Sequence, residues 1–210
     1  MGTYAGVVIS ILAVLAIVET PPATYDACMS EVFELRQYTL HPGRRDVLIE
    51  LFEREFIDPQ IAAGMRLLGQ FRDLDDPDRF VWFRSFPDME HRKEALSAFY
   101  GGPIWKAHRD EANATMIDSD NVLLLRLADP RFPFPARLDS PVLDLTVYEA
   151  DGWNGNAARP LLLTESAENT YPALPVRVGE NVVVAFGSEP LPLTVQQRLR
   201  LEPTAKSKLR

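Results

Sequence analysis

The stretch that decides the fold is residues 65–86, MRLLGQFRDLDDPDRFVWFRSF. It contains two runs rich in β-forming residues, 65–72 and 79–86, and the acidic segment between them has the composition of a turn. Two such runs so close along the chain predict a β-hairpin. Strand-like composition recurs upstream at residues 32–40 (VFELRQYTL) and downstream at residues 122–127 (VLLLRL).

Two helical segments are predicted between these strands. Residues 44–64 repeat Leu48, Phe52 and Phe56 at intervals of four, which predicts an amphipathic helix. A second helical segment covers residues 88–115 and is interrupted by a Gly-Gly-Pro sequence near its middle. The resulting order of strand, helix, strand, strand, helix and strand is that of a ferredoxin-like unit.

The rest of the chain predicts a shortened, degenerate second unit of the same α+β kind. We assign residues 31–128 to the first unit, 129–141 to a proline-rich linker and 142–210 to the second unit. Residues 151–160 (DGWNGNAARP) occupy the place of its first helix, and their two glycines and two asparagines disfavour one. The strand-like runs of this part are residues 142–150, 161–165, 181–186 and 198–204.

Alternation along the strands divides the first sheet into two faces. We predict that the apolar face packs against the helices; it comprises Phe33, Leu35, Met65, Leu67, Phe71, Val81 and Phe83. The opposite face mixes aromatic rings with cations and an amide; it comprises Glu34, Arg36, Tyr38, Arg66, Leu68, Gln70, Phe80, Trp82, Arg84 and Phe86. Such a face is too apolar to remain in water. We expect the second half of the chain, another subunit or both to cover it around a partly polar cavity.

Four motifs give the chain a family resemblance. VFELRQYTLHPGRRD, GMRLLGQFRDLDDPDRFVWFRSFPDM, AFYGGPIWKAHRDEAN and DSDNVLLLR together resemble the NIPSNAP family of the dimeric α+β barrel superfamily. A fainter match continues through residues 164–181 (TESAENTYPALPVRVGEN). The resemblance implies two ferredoxin-like units, association into dimers, and scaffolding, vesicle or mitochondrial roles. It supplies no general set of catalytic residues.

The mixed face and one helix hold the candidate ligand-binding residues. A guanidinium fork on Arg36 or Arg84 suits a carboxylate or another anion; the alternative is that both arginines pair with acids of the protein, such as Glu34. The complete set of candidates is Arg36, Tyr38, Gln70, Trp82, Arg84, Trp105, His108 and Asn113.

His108 is the candidate catalytic residue. Trp105, His108 and Ala112 share a helix face by their spacing, and a histidine can transfer protons near neutral pH. The related superfamily includes cofactor-free oxygenases and isomerases, so the resemblance allows such a role. The alternative is that Trp105 packs in the core and that His108 bonds a backbone group.

Two functions follow from these observations. The leading interpretation is a non-enzymatic binding or assembly module that forms a homo-oligomer, a dimer above all, and contains a small-molecule cavity. The alternative is a cofactor-independent oxygenase or isomerase acting on a small organic substrate. In that enzyme Arg36 and Arg84 would orient an anionic group, and His108 would move a proton.

Composition excludes several other functions. The formal net charge of −8 argues against nucleic acid or an anionic membrane surface as the main partner. Three scattered histidines and one cysteine have no spacing typical of a metal site. The acidic turn lacks the glycine and glutamate of an EF-hand, and no nucleotide-binding motif is present. We therefore predict neither a metal nor a cofactor.

The start of the chain, residues 1–28, has three interpretations. Residues 5–18 are almost entirely apolar but too short to span a bilayer. A signal peptide requires a positively charged leading region, but no basic residue precedes Arg36. The first interpretation is that Met29 is the true start. The second is that the segment is an export or anchor signal, and the third is that it is a native apolar arm. We predict a cytoplasmic protein; export or membrane association through residues 5–18 is the alternative.

Overall fold

The computed structural model describes residues 30–210, so the predictions for residues 1–28 lie outside the described part. The first unit has the predicted order of elements. A π-helical segment, Phe52–Phe56, joins the first two helices into one rod, and Gly64 follows them in the left-handed conformation that suits glycine. The elements are β1 (Val32–Leu40), α1 (Arg45–Leu51), α2 (Ile57–Ala62), β2 (Arg66–Asp73), β3 (Arg79–Phe86), α3 (Met89–Gly101), α4 (Pro103–Asn113) and β4 (Met116–Leu127).

The second unit keeps its four strands and has lost both helices. Its strands are β5 (Leu143–Glu149), β6 (Leu161–Thr164), β7 (Val182–Phe186) and β8 (Val195–Pro203). The crossover at residues 151–160 consists of turns and irregular chain, as its glycines and asparagines predicted. Within residues 30–210 no helix is long and apolar enough to cross a bilayer.

All eight strands close into one barrel, in the order β1-β3-β2-β8-β5-β7-β6-β4 and back to β1. The two seams between the units are antiparallel: β2 pairs with β8 and β4 pairs with β6. The predicted α+β fold of the dimeric barrel type is therefore confirmed, and one chain supplies both halves of the barrel. Closure pairs each strand of the described barrel with a neighbour on both sides.

The barrel interior is mainly apolar and takes residues from both units. Phe33, Leu35, Val81 and Phe83 face it, rather than the helices as we predicted. The mixed face of Tyr38, Phe80, Trp82 and Phe86 packs against the helices instead. The prediction was wrong because both sides of this sheet are covered, so apolarity does not distinguish the helix side. The more completely enclosed barrel interior takes the purely apolar set.

Met65 and Leu67 do face the helices as predicted, although Phe71 of the same set faces the barrel. A β-bulge between Leu67 and Gly69 is the reason. It shifts the alternation of β2 by one residue, so Leu67 and Gln70 lie on the same side of the sheet.

The linker between the units closes one end of the barrel. Phe134 inserts its ring among Phe33, Phe83 and Phe186, with centroid distances of 5.6, 5.3 and 5.1 Å. The proline-rich composition of this segment suits an extended path over the barrel mouth. Its function is therefore packing as well as connection.

The β6–β7 loop, residues 165–181, reaches from the second unit onto the helices of the first. Thr170 Oγ1 donates to the carbonyl oxygen of Met89 at 2.9 Å, and the rings of Tyr171 and Tyr100 are stacked 6.2 Å apart. The second unit thus covers the first on both sides of its sheet, with strands inside the barrel and with this loop outside it.

Candidate functional site

A small cavity lies between the helices and the first sheet. Its volume is about 30 Å³, which is the space of about one water molecule. Tyr100, Trp105 and Met116 are partly exposed and form its rim, whereas the other lining residues are buried. The lining is mostly aromatic: Tyr38, Leu48, Phe52, Phe56, Gln60, Trp82, Phe99, Tyr100, Trp105 and Met116.

The π-helical segment positions two of these rings. Phe52 and Phe56 are its first and last residues, and both side chains point towards the cavity. The Phe52 ring lies 4.9 Å from that of Trp82, and the Phe56 ring lies 5.6 Å from that of Trp105. A π turn inside an α-helix is rare and occurs frequently at functional sites.

A buried charged cluster lies on the same side of the sheet. Glu34 accepts hydrogen bonds from Arg36 Nη1 at 2.8 Å, Arg84 Nε at 2.7 Å and Arg92 Nε at 2.6 Å. All four side chains are at most 2% exposed. Three guanidinium groups therefore face one carboxylate, and the cluster carries a net charge of +2, three minus one.

Two hydrogen bonds connect this cluster to the cavity wall. Arg36 Nε donates to the Tyr38 hydroxyl at 3.1 Å, and Arg84 Nη1 donates to Gln60 Oε1 at 3.2 Å. The guanidinium carbons of Arg36 and Arg84 also lie 5.5 and 5.0 Å from the Trp82 ring centroid, within cation–π distance. The cavity thus lies directly against a positively charged layer.

The surroundings set the ionisation of two groups here. Burial by itself would raise the pKa of Glu34, but the charges of Arg84, Arg36 and Arg92 outweigh it and hold that pKa well below its usual range. Burial raises the pKa of Tyr38. Tyr38 is therefore a neutral phenol at physiological pH, which suits hydrogen bonding rather than proton abstraction.

Several buried polar atoms around the cavity have no hydrogen-bond partner among the described residues. They include Trp82 Nε1, both polar atoms of the Gln70 amide, Arg84 Nη2 and Arg92 Nη2. Gln70 and Trp82 are directly opposite in the β2–β3 ladder. An unpaired buried polar group costs about 1–3 kcal/mol, so this layer has unused capacity to bind polar atoms.

The structure brings most of the predicted site residues together, on the side of the sheet opposite to the one we predicted. Arg36, Tyr38, Trp82 and Arg84 are neighbours through the contacts above, and Gln70 lies opposite Trp82. Trp105 also joins them at the cavity rim. Pairing of the arginines with an acid of the protein is observed, because Glu34 contacts them. Binding of an external anion also has support, because Glu34 leaves their positive charge in excess.

His108 and Asn113 lie apart from this group. The His108 side chain is 28% exposed and its ring contacts that of Phe56. Its Nε2 lies 3.5 Å from Glu55 Oε2, and its Nδ1 lies 3.6 Å from Glu111 Oε2. Asn113 is exposed. The cavity is lined by neither His108 nor Arg84, so the geometry does not combine them in one pocket as the predicted enzyme required.

Sequence reasoning missed Arg92, Gln60 and most of the aromatic lining. Arg92 stands in the charged run EHRKE, which favours a surface position. Its spacing to Leu96 and Phe99, four and seven residues on, is helical and was the available signal for a buried face. Nothing in the spacing of Gln60 pointed to Arg84, because their contact depends on tertiary structure.

Acidic side chains of the described residues pair with cations rather than with one another. Residues 30–210 contain no group of three or more histidine, cysteine, aspartate or glutamate side chains arranged to hold a metal ion. The acidic turn after β2 pairs instead with arginine: Arg79 Nη1 lies 3.1 Å from Asp73 Oδ2, and Arg79 Nη2 lies 2.9 Å from Asp76 Oδ2.

The chain was compared with curated proteins and with solved structures, and only the solved structures gave matches. No curated protein is significantly similar to the chain. Among solved structures, a NIPSNAP family protein of unknown function from Agrobacterium tumefaciens is 20% identical, with a TM-score of 0.43, and the alignment covers 46% of this chain and 86% of that one. A NIPSNAP-like domain protein from Burkholderia xenovorans is 23% identical, with a TM-score of 0.42 and coverage of 46% and 84%.

A longer structural match includes the second unit. A proposed monooxygenase from Lactobacillus acidophilus has a TM-score of 0.51 at 12% identity, over 83% of this chain and 94% of that one. At this identity the likeness shows a common fold and carries no information on activity. The NIPSNAP family model matches residues 33–130, which include the whole helix-bearing unit and its cavity. Residues 33–130 therefore form a NIPSNAP domain.

Proposed function

We propose that this protein is a non-enzymatic binding module for a small, flat organic molecule, held between the helices and the sheet of its first unit. The observation that supports this is the aromatic cavity with the unpaired Trp82 Nε1 beside it. Aromatic walls favour planar ligands through edge-to-face and offset-stacked contacts, and an indole N–H selects a ligand that carries a hydrogen-bond acceptor.

Entry of such a ligand requires the rim to move. The cavity of about 30 Å³ is far smaller than a ring-sized molecule. Tyr100, Trp105 and Met116 are only partly buried and belong to helix ends or to the start of β4. Rotation of these side chains widens the cavity without disturbing the barrel, whose interior is packed separately.

The catalytic alternative has less support. A cofactor-independent oxygenase or isomerase needs a group that moves a proton inside the pocket, and His108 lies outside the cavity wall. Tyr38 does line the cavity, but its raised pKa keeps it protonated. Binding without chemistry therefore accounts for the arrangement more economically.

Self-association stays a prediction from the family resemblance. From the residues alone we expected the second half of the chain, another subunit or both to cover the mixed face of the first sheet. The helices of the chain cover that face, and the second unit covers the other within a closed barrel. Among the described residues, therefore, no uncovered face of the first sheet supports the predicted assembly function.

Ligand-observed NMR with benzamide tests the proposal. The amide oxygen of benzamide can accept a hydrogen bond from Trp82 Nε1, so Trp82→Phe, which keeps a ring but removes the donor, should weaken binding about three- to tenfold. Trp153→Phe is the matched control because Trp153 packs in the second unit, away from the cavity. Absence of benzamide binding, or equal weakening by both substitutions, contradicts the proposed site.

A further inference from the structure

The charge of the buried cluster is unbalanced. A buried arginine is tolerated when its charge and its hydrogen-bond donors are matched by acceptors. Glu34 supplies one negative charge for Arg36, Arg84 and Arg92, all of which are almost completely buried. Because Arg84 Nη2 and Arg92 Nη2 also have no acceptor among the described residues, the cluster lacks negative charge as well as hydrogen-bond partners.

Arg84 has a guanidinium whose unused end is next to the cavity wall. Its Nε is held by Glu34, so its outer edge, Nη1 and Nη2, points away from that carboxylate. Nη1 reaches Gln60 Oε1 at 3.2 Å and Met65 Sδ at 3.5 Å, and Nη2 is unpaired. A neutral amide and a thioether are weak partners for a buried cation.

Gln60 separates this edge from the cavity. It lines the cavity, is 1% exposed and lies on α2 immediately after the π-helical segment. Its amide nitrogen donates to the Phe56 carbonyl oxygen at 3.2 Å, which holds the side chain in place. If Gln60 turns aside, both terminal nitrogens of Arg84 become accessible from the cavity.

We propose that the ligand of this cavity carries a carboxylate, which replaces Gln60 Oε1 and binds end-on to Arg84 through Nη1 and Nη2. The inference rests on the proposed function and adds the chemical class of the ligand. A carboxylate has the spacing for two parallel hydrogen bonds to a guanidinium edge. It also reduces the net charge of the layer from +2 to +1, and its ring is left among the aromatic walls.

Benzoate and benzamide form a matched pair of probes, equal in shape and different in charge. Titration of the full chain, followed by calorimetry or ligand-observed NMR at neutral pH, compares their dissociation constants. We expect benzoate to bind at least about tenfold more tightly, since a hydrogen bond to a charged group is worth roughly 1.5–3 kcal/mol and 1.4 kcal/mol is a factor of ten.

Gln60→Glu tests the position of the carboxylate. The substitution is nearly isosteric and places a fixed negative charge on Arg84 Nη1, so the preference for benzoate over benzamide should fall to about one or reverse. Gln196→Glu is the control because it makes the same change of charge at an exposed position of β8; it should keep the preference. Arg84→Lys retains the charge without the fork and should reduce the preference several-fold.

The outcomes separate this inference from the proposed function. Equal binding of benzoate and benzamide, or a benzoate preference that survives Gln60→Glu, overturns the carboxylate site and leaves the binding function in place. Failure of both probes to bind the unmodified chain overturns the proposed cavity function and, with it, the carboxylate site.

Discussion

Trp82 is the residue that joins the charged layer to the cavity. Its ring is buried and lies between the guanidinium groups of Arg36 and Arg84. It also contacts Phe52 and Tyr38, with centroid distances of 4.9 and 5.9 Å. Any ligand that contacts the indole is therefore close to positive charge, although the ring itself is apolar.

Glu34 is the carboxylate that Arg36, Arg84 and Arg92 share. We expect Glu34→Gln to lower the free energy of unfolding by about 3–5 kcal/mol, because it leaves three buried guanidinium groups without a counter-charge. Urea denaturation followed by circular dichroism measures the change. The control is Glu168→Gln on the exposed part of the β6–β7 loop, which should change the free energy of unfolding by less than about 0.5 kcal/mol.

The effect of Glu34→Gln on the free energy of unfolding should depend on pH. The pKa of Glu34 is lower in the folded state than in the unfolded state, so its contribution to stability is complete above the ordinary value of 4.5 and is lost as the pH falls below it. The difference between the original chain and Glu34→Gln should thus stay constant from pH 7 to about pH 5 and shrink as the pH falls from about 5 to about 3. A difference that stays constant over the lower of these ranges contradicts the assigned role.

At the scale of elements, segments outside the regular helices and strands complete both layers of the first unit. The π-helical segment supplies Phe52 and Phe56 to the cavity. The linker supplies Phe134 to the barrel. The β6–β7 loop supplies Asn169, whose Oδ1 accepts from Arg92 Nη1 at 2.9 Å. Each segment is short, yet each provides a side chain to the packing of the first unit.

The linker offers a direct test of this view. Phe134→Ala should lower the free energy of unfolding by about 2–4 kcal/mol, because it opens the end of the barrel where Phe33, Phe83 and Phe186 meet. Chemical denaturation of the full chain gives the value. Phe132→Ala lies on the same linker, and its ring contacts the Arg131 guanidinium; it should cost less than about 1 kcal/mol. Equal costs for the two substitutions mean that Phe134 does not plug the barrel.

For the whole molecule, the second unit supplies the other half of the barrel wall. It has no helix in its described residues, but its strands form half of the barrel wall and supply half of the interior. Loss of its helices leaves these contributions intact, because strand side chains, with Phe134 and Leu209, form the barrel interior and no described helix contributes to it. The helix-bearing unit retains the cavity.

A chain limited to residues 30–128 should therefore self-associate or aggregate. Its exposed sheet face would include Phe33, Leu35, Phe83 and Leu125, all fully buried in the intact barrel. An apolar patch of that size is rare on a soluble monomer. Sedimentation velocity of the short and full chains, measured side by side, checks this; a folded monomer of the short chain contradicts it.

The local sequence determined the strands, the order of the first unit and the loss of a helix at residues 151–160. Composition and periodicity act over a few residues, so the turn-rich segment 73–78 and the repeat of Leu48, Phe52 and Phe56 were sufficient for these elements. Alternation also placed Arg36, Tyr38, Trp82 and Arg84 on a common face. The residues of the candidate site on the strands could be predicted to that extent.

The tertiary structure alone decided which layer each face meets. A sheet covered on both sides has two buried faces, and alternation cannot tell the barrel from the helices, so Phe33 and Trp82 were assigned to the wrong layers. Barrel closure, the insertion of Phe134 and the contact of Arg84 with Gln60 join parts of the chain that are distant in sequence. Such contacts depend on the packing of the whole molecule, and no local pattern of residues records them.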